Sequence, residues 1–227
     1  MSKIPIAIYT AVCDADEKYF GQFLSEMTRL NLDFFIHFDK CSDETKKKFM
    51  QHKYFSGYTE RTEGVYKETD KQGILDLLSS KNYQWAMCLD FDETLEKAAP
   101  QKLKIVLESK ESIIQVPYIN LWEDKKHCRI DGWFGTATRE KFYNLKIKWK
   151  FNFPYVGRPR PVTSGFSMKK VHIYFIHHGL MNSRLCNFHK ERWDKIYTHS
   201  AGMNPYNMWN DAVNNKPEIR RITEFIV

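Results

Sequence analysis

A chain of 227 residues and 27.1 kDa has room for one sizeable domain. Its 42% hydrophobic and 15% aromatic content supports a packed core and excludes an intrinsically disordered chain. With 35 Lys+Arg against 28 Asp+Glu the formal charge is +7, which favours an anionic partner but leaves nucleic acid, acidic glycan and nucleotide diphosphate all open.

The first element is a strand over 4–11, where Ile4, Ile6, Ala7, Ile8 and Tyr9 form the apolar run of a buried parallel sheet. Asp14 and Asp16 punctuate it. Glu17–Leu30 then reads as a helix, with Phe20, Phe23, Leu24, Met27 and Leu30 at three-four spacing. A second strand over 33–38 ends in Asp39, and Ser42-Asp43-Glu44 N-caps a short Lys-rich helix running to Phe49. A short strand over 56–59 follows, then a helix over 66–78 with Ile74, Leu75 and Leu78 inward. A fourth strand over 84–89 ends at Asp90-Phe91-Asp92-Glu93. Such alternation predicts a doubly wound α/β sheet. Further on, 112–120 reads as a strand whose Pro117 marks an edge or a bulge. The Gly- and aromatic-rich stretch 128–139 closes in another strand. A short strand over 171–176 and a polar helix over 185–197 complete the chain.

Cys13, Cys41, Cys88, Cys128 and Cys186 are odd in number, widely spaced and lack a CxxC, so reduced thiols and a cytoplasmic location are expected. No apolar run approaches the roughly 20 residues of a membrane span. The first residues hold no signal-peptide core.

Ligands of open parallel sheets bind beyond the carboxyl ends of the strands. Three predicted strand ends carry acids there: Asp14, Asp39, and Asp90 with Asp92 and Glu93. Two converging carboxylates repel unless a cation separates them, and such oxygen ligands suit Mg²⁺ or Mn²⁺ shared with substrate phosphates. A solvated acidic turn is the plainer reading, and a lone DxD is common by chance. The apolar strand before this one delivers it into the expected cleft.

Residues 84–95 (QWAMCLDFDETL) resemble the W-x-x-x-x-D-x-D-E-x-L segment of GT-A glycosyltransferases of the family-two-like kind. Residues 13–20 (CDADEKYF) resemble the N-E-x-x-Y-L step that opens the first helix of that family, and 39–43 (DKCSD) its D-x-x-S-x-D. Ile176-His177-His178-Gly179, followed by Ser183-Arg184 and Lys190, resembles its H-Y-G-x-x-S segment. The resemblance implies a GT-A, Rossmann-like mixed sheet flanked by helices. It implies one domain over 1–227, with 1–97 as the nucleotide-sugar-binding half and 98–227 as the acceptor-side half. A nucleotide-diphosphate sugar donor and Mn²⁺ or Mg²⁺ are implied with it. Asp39 would contact the base or ribose, Asp90 the ribose, and Asp92 and His177 the metal; Thr10 is counted with the donor-binding residues. The family's Asn-Glu pair is replaced here by Asp14-Ala15-Asp16, which puts base contacts by that loop in doubt.

A transferase of this kind also needs a carboxylate to take the acceptor's proton, and direct displacement inverts the anomeric centre. Asp131, in Cys-Arg-Ile-Asp-Gly-Trp, is favoured because Trp133 beside it could stack on a sugar. A plain turn before Gly132 is as good a reading of Asp131, and Glu123 and Asp124 stay open as alternatives. For His177 and His178, which point oppositely on a strand, the competing reading is a hydrogen-bonded core histidine. Arg158, Arg160, Arg184, Lys190 and Arg192 could meet donor phosphate or a polyanionic acceptor, although a solvated basic face is the usual outcome for scattered charges.

The expected activity is therefore metal-dependent, inverting transfer of a sugar to a surface glycan or lipopolysaccharide. One alternative is a DNA glycosyltransferase acting on hydroxymethylated pyrimidines, which the charge and size also fit. Another is a non-catalytic nucleic-acid-binding protein, although no RNP, helix-turn-helix or zinc-finger pattern is present. A phosphatase of the haloacid dehalogenase type is third, because Asp90-Phe91-Asp92-Glu93-Thr94 matches D-x-D-x-T. That loop should follow the first strand of its domain, not the fourth. Donor sugar, acceptor and oligomeric state are not legible.

Overall fold

The computed structural model describes residues 4–63, 69–130, 138–149, 151–152, 160–161, 165–179 and 218–224. Its centre is four parallel strands in the order β3-β2-β1-β4: β1 (Ile6–Val12), β2 (Phe34–Asp39), β3 (Phe55–Arg61) and β4 (Trp85–Cys88). α1 (Glu17–Leu30), α2 (Asp43–Met50) and α3 (Thr69–Ser80) fall in sequence between them. Ser42 N-caps α2, its hydroxyl accepting from the Thr45 N–H at 3.3 Å.

The side-chain pattern explains the layers. Alternate residues of a strand face opposite sides. Ile6 and Ile8 of β1, Phe34, Ile36 and Phe38 of β2, and Trp85 and Met87 of β4 share one apolar cluster with Phe20, Phe23, Met27 and Leu30 of α1 and Phe49 of α2. Ala7, Tyr9, Phe35, Ala86 and Cys88 face the other way, onto Ile74, Leu75 and Leu78 of α3. Both faces of the parallel strands are thus buried, which is why these strands read as unbroken apolar runs.

After β4 come β5 (Glu93–Leu95), α4 (Ala99–Leu107), β6 (Ile113–Leu121), β7 (His127–Arg129) and β8 (Thr138–Asn144). β8 extends the sheet antiparallel to β4, and β6 pairs antiparallel to β8, so the sheet is mixed: a parallel core carrying antiparallel strands, flanked by helices. β9 (Phe151–Asn152) and β10 (Arg160–Pro161) form a separate two-stranded pair. β11 (Met168–Lys170) and β12 (Phe175–His177) both lie parallel to β6, and β13 (Ile219–Arg221) lies antiparallel to β7.

Several expectations need correcting. β6 is an interior strand, not an edge. Pro117 falls where β6 changes partners: the antiparallel pairing passes from β8, which ends at Pro117, to β7 from Asn120, and the parallel pairing from β11, which ends at Gln115, to β12 from Tyr118. The register irregularity lies upstream, between Ile114 and Gln115. The single strand expected over 171–176 is two short strands. Between them Val171 and Ile173 turn into the core, and the chain is tied to Glu96 through the Tyr174 N–H (2.9 Å) and carbonyl (3.0 Å). α4 was not expected; it carries Pro100 in its first turn and buries Ala99, Leu103 and Val106. The polar helix expected over 185–197 lies outside the described residues. Among the described residues no helix is long and apolar enough to cross a membrane, and Cys13, Cys41, Cys88 and Cys128 are free thiols.

Candidate functional site

In the strand order β3-β2-β1-β4 the crossovers change direction between β1 and β4, and a cleft opens at the carboxyl ends of such neighbours. Asp90 to Glu93 occupies that position. β4 ends at Cys88, Leu89 N–H still bonds the Tyr9 carbonyl (3.1 Å), and the chain then turns, closed by the Glu93 N–H on the Asp90 carbonyl (3.0 Å). Strand alternation therefore does not set the directions of the two aspartates. Phe91 does. It is buried at the hub of an aromatic cluster, stacked on Phe23 at 4.2 Å and edge-on to Phe20 (5.6 Å) and Phe49 (5.4 Å). With Phe91 anchored inward, the acids on either side stay at the sheet edge, and the charges of both bear on His177 and Tyr118.

Asp92 meets His177 across 85 positions of sequence, Oδ2 to Nε2 at 3.1 Å. β12 delivers the histidine: His177 pairs in register with Asn120 of β6, whose Oδ1 accepts from Nδ1 at 3.0 Å. An amide oxygen only accepts, so Nδ1 carries the proton and Nε2 is the atom turned to Asp92. The Tyr118 ring packs against the imidazole with centroids 5.3 Å apart. Burial pulls the His177 pKa down, but the charge and hydrogen bond of Asp92, with Glu93 and Asp90 behind, outweigh it and leave it raised. Gly179 lies directly over the pair. A Cβ there would sit 2.2 Å from Asp92 Oδ2 and 2.7 Å from His177 Nε2, so any other residue would displace one of the two.

Asp90 and Glu93 have a different partner. Lys141 of β8 is buried, and its Nζ lies 2.6 and 2.7 Å from the two oxygens of Glu93, which is itself fully buried. The same ammonium reaches Asp90 Oδ2 at 3.3 Å. Burial works against the ammonium's charge, but Asp90 and Glu93 outweigh it and push the Lys141 pKa up, so the lysine stays protonated. Glu93 also accepts the Tyr118 hydroxyl (2.6 Å) and the Asp90 N–H (2.9 Å).

The other two strand ends differ from each other. The Asp14 carboxylate accepts the Ser42 N–H at 3.1 Å on both oxygens and is thereby committed to the turn before α2. Asp39, at the end of β2, keeps a buried Oδ1 that no donor among the described residues reaches. The Tyr19 hydroxyl in the first turn of α1 is likewise buried without a hydrogen bond, and burial followed by the charges of Asp92 and Asp16 pushes its pKa up. Thr10 is buried within β1, next to Tyr9, which pairs with Cys88 of β4, and its hydroxyl lies 3.5 Å from the Ala11 carbonyl.

Of the expected site residues, then, Asp90, Asp92 and His177 are brought together, and Asp39 lies two strands away at the same edge. Asp131, the expected base, lies outside the described residues, as do Trp133, Arg158, Arg184, Lys190 and Arg192. Asp124 is used by its own turn: one oxygen accepts the N–H groups of Lys126 (2.7 Å) and His127 (2.8 Å). His178 bonds the Thr94 hydroxyl at 3.0 Å; burial and the neighbouring charge of His177 push its pKa down to about 4, so it is neutral at physiological pH. Lys141 and Asn120 were missed. Neither carries a distinctive signal: Lys141 stands in a charged run, Arg139-Glu140-Lys141, and Asn120 near the end of an apolar strand.

Asp92 and His177 fit a divalent cation. A carboxylate oxygen and an imidazole nitrogen suit Mn²⁺ better than Mg²⁺. Among the described residues no third His, Cys, Asp or Glu joins the pair, so further coordination would fall to substrate phosphate and water.

No protein-family model matches the chain, and no curated protein matches it. Solved structures do resemble it. Staphylococcus aureus TarS 1–349 superposes with a TM-score of 0.49 at 11% identity, over 93% of this chain and 69% of that one. Its complex with UDP-GlcNAc superposes over 63% of this chain and 46% of that one, with a TM-score of 0.42 at 10% identity. HddC from Yersinia pseudotuberculosis gives 0.47 at 10% identity, over 75% and 92%. A Bacillus anthracis protein described as a glucose-1-phosphate thymidylyltransferase gives 0.44 at 7%, over 62% and 72%. At these scores and identities the likenesses carry no argument for activity, which rests on the chain's own residues.

Proposed function

We propose that this chain is a divalent-metal-dependent, inverting glycosyltransferase that moves a sugar from a nucleotide diphosphate to an acceptor hydroxyl. The observation that carries the reading is the Asp92–His177 pair, roofed by Gly179, at the carboxyl edge of the parallel strands. The unsatisfied Asp39 Oδ1 at the same edge supports it, because a buried acceptor without a partner is costly unless a ligand supplies a donor. A base N–H or a ribose hydroxyl is such a donor.

Asp92 and His177 would hold the cation, which supplies charge to offset the diphosphate leaving group. Asn120 keeps the His177 ring in the tautomer that presents Nε2. Asp90 would accept a ribose hydroxyl, and the Lys141 ammonium beside it offsets its negative charge. Attack by the acceptor oxygen on the anomeric carbon needs a base; on sequence grounds we assign Asp131. The acceptor we favour is a surface glycan or lipopolysaccharide. Duplex DNA would instead show binding that weakens steeply with salt.

The reading is tested by incubating the protein with UDP-, GDP-, CDP- and dTDP-sugars and Mn²⁺ and measuring released nucleotide. Release that needs the ion and vanishes in Asp92→Ala supports it. Inorganic phosphate freed from a phosphomonoester, with no nucleotide released, would support the phosphatase reading instead.

A further inference from the structure

A lysine and a glutamate buried together beneath a functional turn need a reason. Neither Lys141 nor Glu93 touches solvent to any extent: their side chains are 6% and 0% exposed. Removing both charges from water costs free energy that their attraction only partly returns, so such a pair is weak evidence for stability alone. What it does here is geometric. Glu93 Oε2 accepts the Asp90 N–H, and Lys141 Nζ contacts Asp90 Oδ2 directly, so the backbone and the carboxylate of Asp90 are both tied to the pair. Asp90 is otherwise half open to solvent, at 53% exposure. Asp92, two residues on, meets His177.

We propose that Lys141, with Glu93, is a positioning residue that holds Asp90 for the nucleotide of the donor, separately from the cation-holding pair Asp92–His177. The proposal rests on the glycosyltransferase reading for what Asp90 binds. It divides the acid turn into two halves: Lys141 sets nucleotide affinity, and His177 sets ion affinity. Tyr118 joins the halves, its hydroxyl on Glu93 and its ring on His177.

The test uses the full chain and calorimetric titration of UDP, GDP, CDP and dTDP in Mn²⁺, with Mn²⁺ affinity measured separately by electron paramagnetic resonance. Lys141→Met alone strands a buried carboxylate and could unfold, so the working variant is Lys141→Met with Glu93→Gln, which leaves a neutral pair. The dissociation constant of the best nucleotide is expected to rise about tenfold, the loss of one charge-assisted contact. Mn²⁺ affinity and melting temperature should stay near wild type. Lys141→Arg, which keeps the charge, should recover most of the loss. Equal losses of nucleotide and ion affinity, or no loss of either, overturn the proposal.

Asp90→Asn separates the two layers of the argument. If it leaves nucleotide affinity unchanged, the assignment of Asp90 falls and the proposal falls with it. If it weakens binding while the double variant does not, only the role of Lys141 falls. If no nucleotide binds the wild type, the glycosyltransferase reading fails, and amide exchange decides the positioning claim. Faster exchange confined to residues 90–93 in the double variant supports it; unchanged exchange overturns it.

Discussion

Two acid-bearing turns leave the same edge of the same sheet and have different fates. After β1, Asp14 accepts the Ser42 N–H, and Asp16 accepts the Cys13 N–H at 3.1 Å. After β4, Asp92 and Glu93 face imidazole and ammonium side chains that arrive from 85 and 48 positions away. A carboxylate whose oxygens are taken by nearby backbone is part of the fold. One aimed at a distant basic side chain, under a glycine whose added Cβ would press on both partners, is the arrangement on which the proposed function rests. The two turns look alike in sequence, Asp-Ala-Asp-Glu and Asp-Phe-Asp-Glu, and differ in the residue between the acids: Ala15 is exposed, whereas Phe91 is locked into the aromatic core.

The contrast can be broken by substitution. Asp92→Ala should lower nucleotide release by about a thousandfold, in keeping with the several kcal/mol attributed to a catalytic ion, while circular dichroism and melting stay close to wild type. Phe91→Ala should destabilise the chain by about 3 kcal/mol in urea melts, since it empties a core site of four packed rings. Activity should then fall even where the protein remains folded.

How far the sequence alone reaches is clear from individual residues. α1 is legible end to end because Phe20, Phe23, Met27 and Leu30 keep helical spacing and all are buried. The parallel strands are legible because both faces are covered. α4 is not, because Lys102 and Lys104 within it, with Lys97 just before it, mask a short apolar face. The acids of the β4 turn are visible as a motif, but only the fold shows that Phe91, not strand alternation, directs them. Lys141 is hidden for a related reason. In Thr-Arg-Glu-Lys-Phe-Tyr-Asn of β8 it looks like one more surface charge, and only the pairing of β8 with β4 and β6 carries it under Glu93. The partnering of Asp92 with His177 joins segments too distant for periodicity or spacing to connect; only the resemblance to glycosyltransferases named the two residues together.

Smaller effects sharpen the same contrast. Gly179→Ala places a methyl group against Asp92 and His177, and Mn²⁺ affinity should fall about tenfold, which is ~1.4 kcal/mol; the melting temperature should move by only a few degrees. Asp14→Ala should cost about 1 kcal/mol of stability through the lost contacts with Ser42, with nucleotide release unchanged once corrected for folded protein. Its pH dependence has a definite sign. Hydrogen bonds from the Thr45 side chain and from Ser42, against some burial, hold the Asp14 pKa below its ordinary value of 3.8. The stabilisation is therefore complete above that value and is lost as pH falls through the lowered pKa. The difference between wild type and Asp14→Ala in urea melts should be constant from neutral pH down to about pH 4 and shrink below it.

The most direct measurement is Mn²⁺ binding, followed by electron paramagnetic resonance in the presence of the preferred nucleoside diphosphate, for wild type, Asp92→Ala, His177→Ala and Asp14→Ala. The account predicts that one ion binds wild type and Asp14→Ala alike and that binding collapses in both Asp92→Ala and His177→Ala. Binding that survives either of those two substitutions, or that is lost in Asp14→Ala, would contradict it.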